Sequence, residues 1–166
     1  MANDFQNKIS NLENQGMYTE SFYSYYFKVE HLAREVIKNG KAKIYAENLT
    51  QDISKILKKQ KIDISKNKLE TQYKNKLKSF FKKKEYKQRE FLNIKDLIDV
   101  LVKNNISIEE EKIKNILQSK SGTARDLRNK LVHSNKEVSK SEYEKFKEDF
   151  NYVISLFKRI LENDFK

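Results

Sequence analysis

The sequence predicts an all-α protein, and three observations carry that prediction. Apolar residues recur at three- and four-residue spacing through every periodic segment. No alternating apolar–polar run of strand length competes with them, and the turn pair Asn-Gly occurs only as Asn39-Gly40, between two helical stripes. Helix-start signals precede several of the stripes. The chain has 166 residues, a length suited to one domain with a single core. The expected architecture over residues 1–166 is a four-helix up-and-down bundle with additional short helices.

The elements follow in chain order. Phe5, Ile9 and Leu12 mark a small helix within the first 15 residues that docks or frays. Phe22, Tyr26, Val29, Ala33, Val36 and Ile37 form the first long stripe, with Gly40 expected as its C-terminal stop. Tyr45, Leu49, Ile53, Ile56 and Leu57 form a second stripe. Leu69, Tyr73, Leu77, Phe80 and Phe81 form a third, with Ser65 as its expected cap. Ile94, Leu97, Ile98, Leu101 and Val102 make a short fourth. Ser107 with Glu110 reads as a capping box before Ile113, Ile116 and Leu117. Thr123 is expected to cap a helix running through Leu127 and Leu131 to His133. Ser139 with Glu142 reads as a second capping box. It opens a long last helix that turns Tyr143, Phe146, Phe150, Val153, Phe157, Ile160 and Leu161 inward. The connections are short and polar, and none has the composition of an interdomain linker.

Composition excludes several chemistries. The chain has no Cys and only two His, so a thiolate site, a Cys nucleophile and the usual Cys/His zinc sets are not available within one chain. Three Gly, at 16, 40 and 122, leave no phosphate-binding glycine loop and no dinucleotide fingerprint. No metal and no cofactor are expected. Met1-Ala2-Asn3-Asp4-Phe5 carries an early acid and no apolar stretch, which argues against a secretory signal. No window approaches the roughly 18–20 apolar residues of a membrane span. The expectation is a soluble cytoplasmic protein.

The formal net charge is +11. Lys outnumbers Arg 30 to 5, and such a bias raises the charge whatever the function. It does not explain where the charge sits. Residues 1–37 carry a net −2, residues 38–89 a net +12, and residues 90–166 a net +1. The excess lies in the middle third, where it can form one electrostatic face.

Two histidines limit the places where chemistry can occur. His31 lies among acidic and basic neighbours with no nucleophile at helical spacing, and reads as a surface or boundary residue. His133 differs. It closes the segment Ala124-Arg125-Asp126-Leu127-Arg128-Asn129-Lys130-Leu131-Val132-His133. On an ideal helix Asn129 and His133 are neighbours, whereas Arg128 and His133 lie about 140° apart. An arginine, an amide and a titratable imidazole at a helix end are suited to acting on a phosphate. Arginine neutralises charge growing on phosphoryl oxygens and histidine moves a proton.

The run Arg128-Asn129-Lys130-Leu131-Val132-His133 resembles the motif of ribonucleases of the HEPN superfamily, in which an arginine and a polar residue precede a histidine by a few positions. The rest of the chain is similar to that superfamily only in length and helical pattern. The resemblance implies an all-α bundle with the motif on a late helix, ahead of a long final helix. It implies a homodimer whose two motifs face each other across a two-fold axis and bind RNA in the cleft. Cleavage would be metal-independent: the substrate 2′-hydroxyl attacks the adjacent phosphodiester, leaving a 2′,3′-cyclic phosphate and a 5′-hydroxyl. Arg128 would stabilise the transition state, His133 would serve proton transfer or the leaving group, and Asn129 would orient them. The setting implied is a toxin or antiphage defence effector with a cognate antitoxin or regulatory protein. Some family toxins carry a tyrosine two residues after the histidine, the target of a nucleotidyltransferase antitoxin. Here that position is Asn135, a departure from that mode of control.

Further RNA contacts are expected from Arg125 and Lys130, unless Asp126 neutralises them, and from Lys82, Lys83 and Lys84, which otherwise form a solvated helix face. Some of Tyr23, Tyr25 and Tyr26 must point outward, to a dimer interface or to unpaired bases. The plain structural alternative for the motif is that Arg128 pairs with an acid and His133 only caps its helix. At the level of function, the rival is a non-catalytic helical module binding RNA or a protein. A DNA-binding protein would need a recognition helix in the basic third, and nothing at known spacing marks one.

Overall fold

The computed structural model describes residues 2–59, 92–134 and 136–165. Among these the protein is all-α, with six α-helices and no strand: α1 Ala2–Asn14, α2 Tyr18–Lys59, α3 Ile94–Lys103, α4 Glu110–Leu117, α5 Ala124–Val132 and α6 Lys140–Arg159. A π-helical turn, Ile160–Asp164, follows α6. No described helix is long and apolar enough to cross a membrane. The third apolar stripe with its Ser65 cap, and Lys82, Lys83 and Lys84, lie outside the described residues, as does Asn135.

The chain forms two compact units. The first comprises residues 1–33 and 109–159. Its core is aromatic: Phe22, Tyr25 and Tyr26 from α2 meet Tyr143, Phe146 and Phe150 from α6, all buried. The rings of Tyr25 and Phe150 stack at 5.3 Å, and Phe22 meets Phe150 edge-on at 5.7 Å. Ile113, Ile116 and Leu117 bring α4 into the same core, and α4 packs against both α5 and α6.

α1 is docked on this unit rather than frayed. Ile9 is buried and Phe5 meets the Tyr25 ring edge-on at 5.5 Å. Glu13 accepts a hydrogen bond from the Tyr143 hydroxyl and pairs with Lys147 Nζ at 2.9 Å. Burial and the bond donated to Glu13 push the Tyr143 phenol well above its usual range. α1 ends in a Schellman turn: Met17 N–H reaches Leu12 O at 2.9 Å, Gly16 N–H reaches Glu13 O at 3.0 Å, and Gly16 has φ 72°.

The second unit takes in, among the described residues, 34–59, 92–108 and 160–165. Its buried residues include Val36, Ala42 and Ala46 of α2, Leu97, Val100 and Leu101 of α3, and Ile160 and Phe165. Lys41 Nζ pairs with Asp96 at 2.9 Å. α3 ends with Asn105 at φ 56°, its N–H bonded to Val102 O at 2.9 Å and Ile106 N–H bonded to Leu101 O at 3.0 Å.

Three local expectations are corrected. Gly40 does not stop a helix, because α2 runs through it to Lys59. The position is glycine because a Cβ there would strike Val100 Cγ1 and come within 3.0 Å of Phe165 Cζ. Past Gly40, the second stripe is largely outward: Tyr45 and Ile56 are 53% and 55% exposed, while Ala42, Ala46 and Thr50 are buried. Small side chains hold the inner face there, so apolarity pointed to the wrong side. Finally, Ser107 does not cap α4. The cap position is Glu109, without a side-chain bond, and its N–H donates to the Tyr152 hydroxyl at 2.8 Å.

Candidate functional site

The helix carrying the motif is built as its sequence predicts. Thr123 is the N-cap of α5, its Oγ1 accepting from Asp126 N–H at 3.3 Å, with the carbonyl oxygens of Gln118 and Lys120 each 2.8 Å away to share its single proton. Asp126 accepts from Gly122 N–H at 3.0 Å and pairs with Lys130 Nζ at 2.8 Å. The hydrogen bond from Lys130, then that from Gly122, holds the Asp126 carboxyl below its usual range. Downstream, the Ser139–Glu142 capping box that opens α6 is formed: Ser139 N–H reaches Glu142 at 3.0 Å and Glu142 N–H reaches Ser139 Oγ at 3.2 Å.

The polar residues of α5 divide into two groups. Arg125 and Lys130 are engaged locally. Arg125 Nη1 donates to Leu117 O, the last carbonyl of α4, at 3.2 Å, and Lys130 is paired with Asp126 as above. Asp126 thus neutralises Lys130. Arg128 and Asn129 form the second group. Arg128 Nη1 donates to Asn129 Oδ1 at 3.0 Å, and its Cζ lies 5.7 Å from the centroid of the Tyr26 ring. A guanidinium over a tyrosine face is held by cation–π attraction, which becomes stronger as the ring is desolvated. The Tyr26 ring is buried. Arg128 Nε is itself buried and has no hydrogen-bond partner, and no carboxylate pairs with Arg128 among the described residues.

His133 stands at the C-cap of α5 and is exposed, rather than buried against its own core. The last carbonyls of α5 are taken by other groups. His133 backbone N–H reaches Lys130 O at 3.2 Å, and Ser134 Oγ donates to the same oxygen at 2.9 Å. The imidazole is therefore not consumed in ending its helix. The structure brings Arg128 and Asn129 together and sets His133 one turn on, without a hydrogen bond from His133 to either side chain among the described residues. His31 is exposed on α2, as expected of a surface residue.

The tyrosines sort differently from their sequence pattern. Tyr25 and Tyr26 are buried, and Tyr23 is half-buried. In this cluster the outward aromatic is Phe27, 51% exposed. It lies outside the apolar stripe of α2 and four residues after Tyr23, one helical turn away on the same face. Its ring stacks on Tyr23 at 5.7 Å with 12° between planes, and meets Tyr26 edge-on at 6.2 Å. Among the described residues no group of three or more His, Asp or Glu side chains is arranged to hold a metal ion.

A cation without a counter-carboxylate among the described residues, steadied by an aromatic face and an amide and followed by an exposed imidazole, has the parts to bind a phosphodiester and move a proton. Comparison of the chain with protein-family models, with curated protein sequences and with solved structures returns no match.

Proposed function

We propose that the protein is a HEPN-type, homodimeric, metal-independent endoribonuclease in which Arg128, Asn129 and His133 act on the scissile phosphodiester. One observation carries the reading: Arg128 is desolvated at Nε yet has no acidic partner among the described residues. A half-buried guanidinium without a counter-charge is costly, and an anion paired with its charge offsets part of that cost. The steps follow from the chemistry. The 2′-oxygen forms a bond to phosphorus and loses its proton, while the bond from phosphorus to the 5′-oxygen breaks and that oxygen gains a proton. Arg128 offsets the negative charge on the non-bridging oxygens, and His133 carries one of the two protons. Asn129 fixes the guanidinium through its Oδ1.

The separation of Arg128 from His133 on one helix is the reason for two chains in this reading. Facing copies of α5 let a phosphate take its arginine and its histidine from different protomers. RNA is the substrate partner, and a toxin or antiphage defence role with a regulatory protein is the setting proposed. The test incubates purified protein with labelled single-stranded RNA in excess EDTA. Cleavage that disappears in both Arg128→Ala and His133→Ala supports the enzyme. Binding without cutting favours the non-catalytic module. Undiminished cleavage in either variant removes these residues from the mechanism.

A further inference from the structure

We infer that Phe27, backed by Tyr23, is a stacking platform for an unpaired base of single-stranded RNA, set beside the phosphate that Arg128 holds; this rests on the ribonuclease reading above. Phe27 lies on α2, outside the motif. Its ring is half exposed, while Phe22 just before the Tyr23–Phe27 pair, and Tyr25 and Tyr26 within it, are buried in the core. One face of Phe27 is supported by the nearly parallel ring of Tyr23, and its edge is fixed against Tyr26. The ring is thus held in place without being covered, which is the state a stacking surface needs.

The same Tyr26 ring that steadies Phe27 also carries the guanidinium of Arg128. Two steps, of 5.7 Å from Arg128 Cζ to the Tyr26 centroid and 6.2 Å from there to the Phe27 centroid, join the cation to the platform. With stacked nucleotides spaced at about 3.4 Å, those steps span at most three or four nucleotides of one strand. A phosphate on Arg128 and a base on Phe27 can therefore belong to the same short stretch of RNA. Such a pairing of a cation with an aromatic ring is how single strands are bound without sequence readout. His31 is exposed one turn further along α2, at the same four-residue spacing, and extends the line of rings.

The size of the patch favours a base over a protein. Among the described residues of this unit, the exposed large apolar side chains are Met17, Phe27 and Val132. A stable protein interface covers about 800 Å² on each partner, far more than one ring and its neighbour offer. A nucleobase needs only a ring of its own dimensions.

The test uses the full chain and a fluorescein-labelled 2′-O-methyl oligouridylate of about 12 nucleotides, within the usual span of a single-strand site. Its capped 2′-oxygens cannot attack phosphorus, so binding is read apart from cleavage. Phe27→Ala and Phe27→Leu should each raise the Kd about tenfold at constant salt, and Phe27→Trp should stay within about twofold. The chain has no tryptophan, so the emission of Phe27→Trp reports on position 27 alone and should fall as the oligonucleotide is added. Binding by Phe27→Leu as tight as the unsubstituted protein overturns the inference, since leucine keeps the apolar contact and loses the ring. So does an absence of binding by the unsubstituted protein. A change of oligomeric state in Phe27→Ala also overturns it, because Phe27 would then pack on another chain. Loss of cleavage in Arg128→Ala is judged separately, so failure of the platform and failure of the ribonuclease reading give different results.

Discussion

Arg128 gives one Nη1 hydrogen to its neighbour Asn129 at 3.0 Å and keeps a buried Nε that no described residue satisfies. In the proposed reaction the pair would serve as a preset donor to the phosphate. Removing preset donors of this kind costs about 10²–10³ in rate. Arg128→Ala should lose at least that much of kcat, and Arg128→Lys should not recover it, because an ammonium lacks the planar fork and the Nε donor. Asn129→Ala should lose less, about tenfold, because it frees the guanidinium without removing its charge. Single-turnover cleavage rates check this order. Equal losses for Asn129→Ala and Arg128→Ala would mean that the amide itself contacts the substrate.

Thr123 sets where the motif helix begins. Its side chain accepts from Asp126 N–H and donates toward two carbonyls of the preceding loop. Thr123→Ala should cost about 1–2 kcal/mol, the upper part of the range for a lost N-cap, and Thr123→Ser should recover most of it. Urea denaturation of the three proteins measures the difference. A neutral Thr123→Ala would show that the loop finds other partners.

Gly40 is inside a helix, where alanine would ordinarily be better by about 1 kcal/mol. Here a Cβ would collide with Val100 Cγ1. Overpacking of this kind costs about 1–3 kcal/mol, so Gly40→Ala should destabilise on balance. Trimming the obstacle in Gly40→Ala/Val100→Ala should leave the double variant more stable than the sum of the two single losses. Strict additivity in that cycle would contradict the close approach of α2 and α3 at this point.

Glu13 makes the docking of α1 depend on pH. Burial pushes its carboxyl up, but the hydrogen bonds from Tyr143 and Lys147 and the charge of Lys147 together outweigh burial and bring it below 4.5. A lowered folded-state pKa means that this stability is present in full above that value and is lost as pH falls through the folded one. Melting temperatures between about pH 3 and 7 should therefore drop more steeply on the acid side for the unsubstituted protein than for Glu13→Gln. Parallel curves would show that Glu13 contributes nothing to the acid limb.

The helices were legible in the sequence wherever one face is built of large apolar residues, as in α6, and where a cap is local, as at Thr123 and the Ser139–Glu142 box. Features that depend on distant neighbours were not. Gly40 looks like a stop until Val100 and Phe165 are placed beside it, and the left-handed residues are instead Gly16, Asn105 and Gly122. Tyr45 and Ile56 looked like core because they are apolar and periodic, while the buried face belongs to Ala42, Ala46 and Thr50. At the candidate site, spacing gave Arg128, Asn129 and His133, but not the Tyr26 ring beneath the arginine or the outward turn of Phe27. Those two depend on how α2 meets α5 in three dimensions, which no spacing along either helix contains.

The most direct measurement is the chemical identity of the ends left when the purified protein, in excess EDTA, is given a labelled single-stranded RNA. Attack by the 2′-hydroxyl predicts a 2′,3′-cyclic phosphate on one fragment and a 5′-hydroxyl on the other, with both products absent in Arg128→Ala and in His133→Ala. Fragments ending in a 3′-hydroxyl and a 5′-phosphate, or a cyclic product that persists undiminished in either variant, would contradict it.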